Sequence, residues 1–146
     1  MKKLFLITLT ILITTVEMPA QDWHYNLEEA QQLAKAQNKQ IVLVFTGSDW
    51  CAACMKLEKQ ILKSREFIEY AAKHYILVRA DFPRKRKNRL SRQQQKINDA
   101  LAEQYNPNGI FPLMVVLDAS GHVLGKTSYE NIGPKGYIEK LKQFRL

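Results

Sequence analysis

Cys51 and Cys54 are the only cysteines of the chain, and two residues separate them in Gly47-Ser48-Asp49-Trp50-Cys51-Ala52-Ala53-Cys54. A pair this close can cycle between dithiol and disulfide while the rest of a fold stays as it is, so redox chemistry at sulfur is the first expectation. The apolar run Ile41-Val42-Leu43-Val44-Phe45 before the pair reads as a strand, and Met55, Leu57, Ile61 and Leu62 after it read as a helix to about Lys63. With Cys51 at the first position of that helix, its sulfur would face free backbone N–H groups and the positive end of the helix dipole, both of which favour the thiolate. Cys51 is therefore the expected nucleophile. Cys54, one turn deeper on the same face, is the expected resolving thiol, able to attack a mixed disulfide and release the partner. Ala52 and Ala53 bring no charge and no side-chain donor, which tilts the expectation towards a reductase or isomerase and away from a strong oxidase.

Other uses of a close cysteine pair fit less well. A loop closed over two residues removes little entropy from the unfolded chain, which makes a poor stability staple. A structural zinc site needs four ligands, whereas His24, His74 and His122 are scattered and no second cysteine pair exists. No histidine follows Cys54 to complete a covalent haem motif. Copper(I) held by Cys51, Cys54 and Met55 stays open, since all three are soft donors. The leading expectation involves no cofactor and no metal.

The elements that must position the pair follow from caps and periodicity. Asn26, with Glu29 three places on, opens a helix to about Gln37 with Leu27, Ala30, Leu33 and Ala34 on one face. Ile41 to Phe45 is β-branched and continuously apolar, as a strand covered on both faces is. Ser64 caps a second short helix to about Lys73, and Tyr75 to Ala80 is a second covered strand. Ser91 with Gln94 opens a helix to about Tyr105. Leu113 to Leu117 is a third strand, and after the turn Asp118-Ala119-Ser120-Gly121 the chain returns as a fourth from His122 to Ser128. A closing helix follows Gly133-Pro134, from Lys135 to about Phe144. Strands joined through helices are parallel and the hairpin is antiparallel, so the expectation is an α/β fold with a mixed sheet between helices on both faces.

Compartment and charge come from the two unusual stretches. Met1-Lys2-Lys3 is a basic start, Leu4 to Val16 is apolar apart from threonines, and Met18-Pro19-Ala20 ends in a small residue, the layout of a secretory signal peptide. Its thirteen apolar-type residues fall short of the ~20 that span a bilayer. The expected division is a signal peptide over 1–20 and one domain over 21–146, periplasmic or secreted, with a membrane involved only in export. Removing Lys2, Lys3 and Glu17 takes the net charge from +8 to +7, and Arg84 to Lys96 alone holds seven basic residues and no acidic one. That segment reads either as a solvated loop or as a docking face for an acidic surface. It lacks the interleaved aromatics that stack on bases, so no nucleic acid is expected.

Phe45-Thr46-Gly47-Ser48-Asp49-Trp50-Cys51-Ala52-Ala53-Cys54, together with Gly109-Ile110-Phe111-Pro112 ahead of the third strand, resembles the active-site loop and the facing cis-proline loop of thioredoxin-like proteins. The likeness is strongest to exported bacterial thioredoxin-domain proteins with a Gly-Ser-Asp-Trp-Cys loop. It covers nearly all of residues 21–146, with Pro83 to Leu90 as an insertion. It implies a thioredoxin-like fold with a central sheet of four strands, or five with a short N-terminal strand. It also implies that Trp50 is an apolar platform beside Cys51, that Pro112 is cis, and that the backbone of Phe111 meets an extended substrate segment. On residue type alone Trp50 and Phe111 are equally core side chains.

Two places depart from the family pattern. Phe45 stands six residues before the first cysteine, where many thioredoxins keep a buried aspartate for proton transfer to and from the resolving thiol. Glu58, one turn beyond Cys54, matches a carboxylate of membrane-reductase thioredoxin domains and could take that proton through water, or be a plain surface glutamate. Leu113 replaces the threonine that commonly follows the proline, and Asn108 to Phe111 carries an extra residue. The expectation is an exported, monomeric thiol–disulfide oxidoreductase exchanging disulfides of protein or peptide partners, served by a separate redox partner. The other reading is a partner-binding module, or copper(I)-binding protein, that turns over no disulfide.

Overall fold

The computed structural model describes residues 20–145, so the expected export segment falls outside it but for Ala20. The chain runs β1 (Trp23–His24), α1 (Leu27–Gln37), β2 (Gln40–Thr46), α2 (Ala52–Leu57), a π-helical turn (Glu58–Leu62), α3 (Arg65–His74), β3 (Tyr75–Asp81), a 3-10 turn (Arg86–Asn88), α4 (Arg92–Tyr105), β4 (Leu113–Leu117), β5 (Val123–Thr127) and α5 (Gly133–Lys142).

The caps read from sequence are formed. Asn26 Oδ1 accepts from Glu28 N at 2.8 Å, Ser64 Oγ from Phe67 N at 3.3 Å and Ser91 Oγ from Gln94 N at 3.1 Å, each satisfying an amide that its helix leaves free. Helix α1 ends on Asn38 in the left-handed region, φ 52°, a conformation that asparagine tolerates better than most residues.

Five strands form one mixed sheet in the order β1-β3-β2-β4-β5. Strand β3 pairs in parallel with β1 and β2, and β4 runs antiparallel to β2 and β5. Central β2 explains its own composition: Ile41, Leu43 and Phe45 point into the layer beneath α1 and α4, with Ala30, Ala34, Leu101 and Tyr105. The alternate Val42 and Val44 enter the layer beneath α2, α3 and α5, with Leu57, Phe67, Tyr137 and Leu141. Both faces are thus apolar, which is why this strand shows no polar alternation.

The structure departs from the sequence reading after the cysteines, where a single regular helix to Lys63 was expected. Helix α2 gives way at Glu58 to a π-helical turn. The wider turn puts Leu57, Ile61 and Leu62 all into the core, at most 2% exposed, which strict 3.6-residue spacing does less well. The active-site loop leaves the C-terminal end of β2, beside the loop leading into β4, so the sheet centre carries the cysteines at one pole.

Candidate active site at the Cys51–Cys54 pair

Cys51 and Cys54 form a disulfide with their Cα atoms 5.2 Å apart. Cys51 is the N-cap of α2, one residue earlier than the first helical position expected from sequence. Its extended backbone, φ −92° and ψ 103°, aims Sγ back at the helix start, where it accepts from Cys54 N at 3.2 Å. The sulfur thus stands where a serine or aspartate oxygen would cap a helix, and the same amide can serve a thiolate. Cys54 Sγ accepts from Gly47 N at 3.4 Å. Cys51 keeps 7% of its surface exposed and Cys54 3%, so the outer of the two is Cys51.

Trp50, the residue before Cys51, makes an aromatic wall with Phe82 and Phe111. The Trp50 and Phe111 rings meet edge to face at 5.5 Å, as do Phe82 and Phe111, and the Trp50 indole Nε1 donates to Phe82 O at 2.7 Å. Gly47 makes this possible: a β-carbon there would fall inside the indole. The Phe111–Pro112 peptide is cis, Pro112 is buried, and its carbonyl accepts from Ser128 Oγ at 2.6 Å. The loop before it is braced by Asn106, whose side chain accepts from Ile110 N at 2.9 Å and donates to Ile110 O at 2.8 Å.

On the other side of Cys54 lies an open cavity of about 290 Å³ lined by Thr46, Ser48, Cys54, Met55, Glu58 and Arg79, among others. Glu58 Oε2 accepts from Arg79 Nη2 at 2.8 Å, and Lys63 Nζ lies 3.6 Å from its other oxygen. Phe45 occupies the opposite layer, fully buried under α1 and α4, so the only carboxylate among the six lining residues named is that of Glu58.

Asp49 carries the contact that sequence reasoning missed. Its carboxylate accepts from Arg84 N at 2.9 Å, Lys85 N at 3.0 Å and Asn88 Nδ2 at 2.9 Å, and these bonds, the Arg84 N–H first, hold its pKa below the ordinary value. The Arg84 guanidinium lies 3.7 Å over the Trp50 ring. Asp81 fixes the loop from below, accepting from Ser48 N at 2.9 Å and Ser48 Oγ at 2.6 Å. The segment from Pro83 is thus folded onto the active-site loop, although Arg84 to Arg89 stay exposed. A run of basic residues gives no local hint of an aspartate that far upstream.

A family model described as thioredoxin-like matches residues 22–119. The disulfide bond reductase DsbH of Chlamydia pneumoniae is 41% identical over 114 residues, taking in 78% of this chain and 67% of the relative. The thioredoxin-related protein DsbJ of Chlamydia pneumoniae is 32% identical over 95 residues, 65% of this chain and only 26% of DsbJ. A solved structure of DsbH oxidoreductase matches with a TM-score of 0.81 at 35% identity over 94% of both chains. The chain belongs to the thioredoxin-like family. With its Cys51–Cys54 disulfide it is a thiol–disulfide oxidoreductase.

Proposed function

We propose that this protein is an exported disulfide reductase acting on protein or peptide partners, with Cys51 as nucleophile and Cys54 as resolving thiol. The carrying observation is the Cys51 cap: its sulfur receives the Cys54 amide at 3.2 Å while being the more exposed of the pair. A thiolate held there attacks a substrate disulfide, forming a mixed disulfide and expelling one substrate thiolate. Cys54, deprotonated, then attacks Cys51 Sγ, expelling the second thiolate and closing the Cys51–Cys54 disulfide. The substrate gains two electrons and the protein loses two; a dithiol redox partner restores the reduced pair.

Glu58 takes the Cys54 proton through water in the shared cavity. Trp50 and Pro112 line the substrate path, and Phe111 presents its backbone, which has no hydrogen-bond partner among the described residues outside helices and strands. The apolar, uncharged Ala52-Ala53 supports reduction over strong oxidation, as does the likeness to a relative named a disulfide bond reductase. The leader over 1–20 supports export into the periplasm or beyond, where the domain acts as a monomer without metal or nucleic acid. Arg84 to Lys96 offers an acidic partner a docking face. Among the described residues no helix is long and apolar enough to cross a membrane.

The test is single-turnover reduction of insulin disulfides by the pre-reduced protein and by Cys51→Ser, with the reduction potential of the couple measured alongside. Stoichiometric reduction by the wild type alone supports the reading. No reduction, with partner capture intact in Cys51→Ser or with copper(I) retained, would establish the binding module instead.

A further inference from the structure

We infer that the loop anchored by Asp49 selects substrates: it favours disulfides whose attacked cysteine is flanked by aspartate or glutamate. This rests on the reductase reading above. The carrying observation is where the charge is fixed. Arg84 is held at both ends, its amide by the Asp49 carboxylate at 2.9 Å and its guanidinium over the Trp50 ring at 3.7 Å. Trp50 immediately precedes the nucleophile, so a cation is fixed on the side chain of the residue next to Cys51.

The neighbouring cations are presented with it. Asn88 N donates to Lys85 O at 2.9 Å and closes the 3-10 turn that displays Arg86 and Lys87, while the same Asp49 carboxylate holds Lys85 N and the Asn88 side chain. Asp49 and Asp81, the carboxylates of this corner, are taken up by main-chain amides, Asn88 and Ser48. Among the described residues none of the basic side chains from Arg84 to Lys96 is in an ion pair, whereas Arg79, across the cysteines, is paired with Glu58. The loop is therefore an open field of positive charge with a fixed position.

That field answers a chemical problem. Acidic flanks repel an incoming thiolate and destabilise the thiolate that leaves, so such disulfides react slowly at an uncharged site. Cations beside the nucleophile offset both effects and speed the encounter. An anionic bilayer could also meet the loop, but the charge adjoins the aromatic wall of Trp50, Phe82 and Phe111, and a peptide segment can use both while bringing a disulfide to Cys51.

The experiment compares disulfide-linked peptides of equal length with Glu, Ser or Lys beside the cysteine, and neutral bis(2-hydroxyethyl) disulfide, each reduced in single turnover by the pre-reduced full chain. The Glu-flanked peptide is expected to react about tenfold faster than the Lys-flanked one at low salt, with the ratio falling towards one near 1 M salt, where screening acts within ~3 Å. Arg84→Gln combined with Lys85→Gln, which keeps both amides that hold Asp49, should cut the ratio several-fold, while Lys35→Gln in α1 should leave it. If the neutral disulfide is reduced and the Glu and Lys peptides react equally, the selection is overturned and the reductase reading stands. If the neutral disulfide is not reduced either, the reductase reading itself falls and this inference with it. Equal peptide rates with retention on phosphatidylglycerol vesicles would assign the loop to a lipid surface and overturn the selection.

Discussion

Glu58 and Arg79 are joined across the cavity behind Cys54, Oε2 to Nη2 at 2.8 Å, and the same guanidinium stacks on the Trp23 ring at 4.1 Å. Strand β1 is only two residues long, yet its tryptophan clamps the arginine that holds the carboxylate in place. Glu58→Gln keeps a side chain that can bond to Arg79 and removes the carboxylate proposed to accept the Cys54 proton. Decay of the mixed disulfide, followed by stopped flow, is expected to slow by about 100-fold, the low end of general-base effects. An unchanged decay would leave Glu58 as a structural partner of Arg79 only.

The asymmetry of the two sulfurs makes a second prediction. Cys54→Ser should accumulate a covalent adduct between Cys51 and a disulfide peptide, visible by mass spectrometry and released by dithiothreitol. Cys51→Ser should give no adduct under the same conditions. Equal trapping by both variants would show that either sulfur can lead.

Gly47 tests the aromatic wall. A β-carbon at this position would overlap the Trp50 indole, which is pinned by Phe82 O and covered by Arg84 and cannot simply swing aside. Gly47→Ala should displace the Trp50 indole and, if the indole lines the proposed substrate path, lower kcat/KM for peptide disulfides by as much as ~100-fold, the scale on which about 1 Å of misplacement acts. The variant's tryptophan fluorescence should shift with the loss of rate.

Asp49 gives the loop a pH limit. The native carboxyl titrates below the unfolded value of 3.8, so its contribution is complete above that value and disappears as the pH falls through the lower native pKa. The amide resonances of Arg84 and Lys85 should therefore titrate together with a midpoint below 3.8. In Asp49→Asn they should show no such titration.

Tyr137 sets the alkaline limit. It is fully buried and donates to Ser128 O at 2.6 Å, tying α5 to the end of β5, and burial pushes its pKa up from 10.0 to about 12. Stability that depends on its neutral form is complete below pH 10.0 and is lost as the pH rises through about 12. Tyr137→Phe should cost about 1 kcal/mol near neutral pH by leaving part-buried backbone partners unmet, and should flatten the fall of Tm above pH 10.0.

Much of this architecture was readable because its causes are local. The caps at Asn26, Ser64 and Ser91 depend on side chains within three residues of the amides they satisfy. Covered strands such as Ile41 to Phe45 and Leu113 to Leu117 announce themselves by unbroken apolar runs. The π-helical turn did not, since Leu57 and Ile61 fit a regular helix equally well and only the packing of Leu62 distinguishes the two. Cys51 as a cap was hidden for a different reason: sulfur is a weak acceptor and cysteine is not a residue that marks helix starts. The union of Asp49 with Arg84 spans 35 positions, and that of Glu58 with Arg79 spans 21, distances over which charge alone names no partner.

The grip of Asp49 falls largely on the main chain of the segment from Arg84 to Asn88. Side chains there can be exchanged, one codon at a time, without loosening the mooring, as long as Asn88 or a substitute closes the turn. A lineage could thereby change the charge displayed beside Cys51 and Cys54 without touching the cysteines themselves, so the side chains of this segment should drift faster among relatives than the pair.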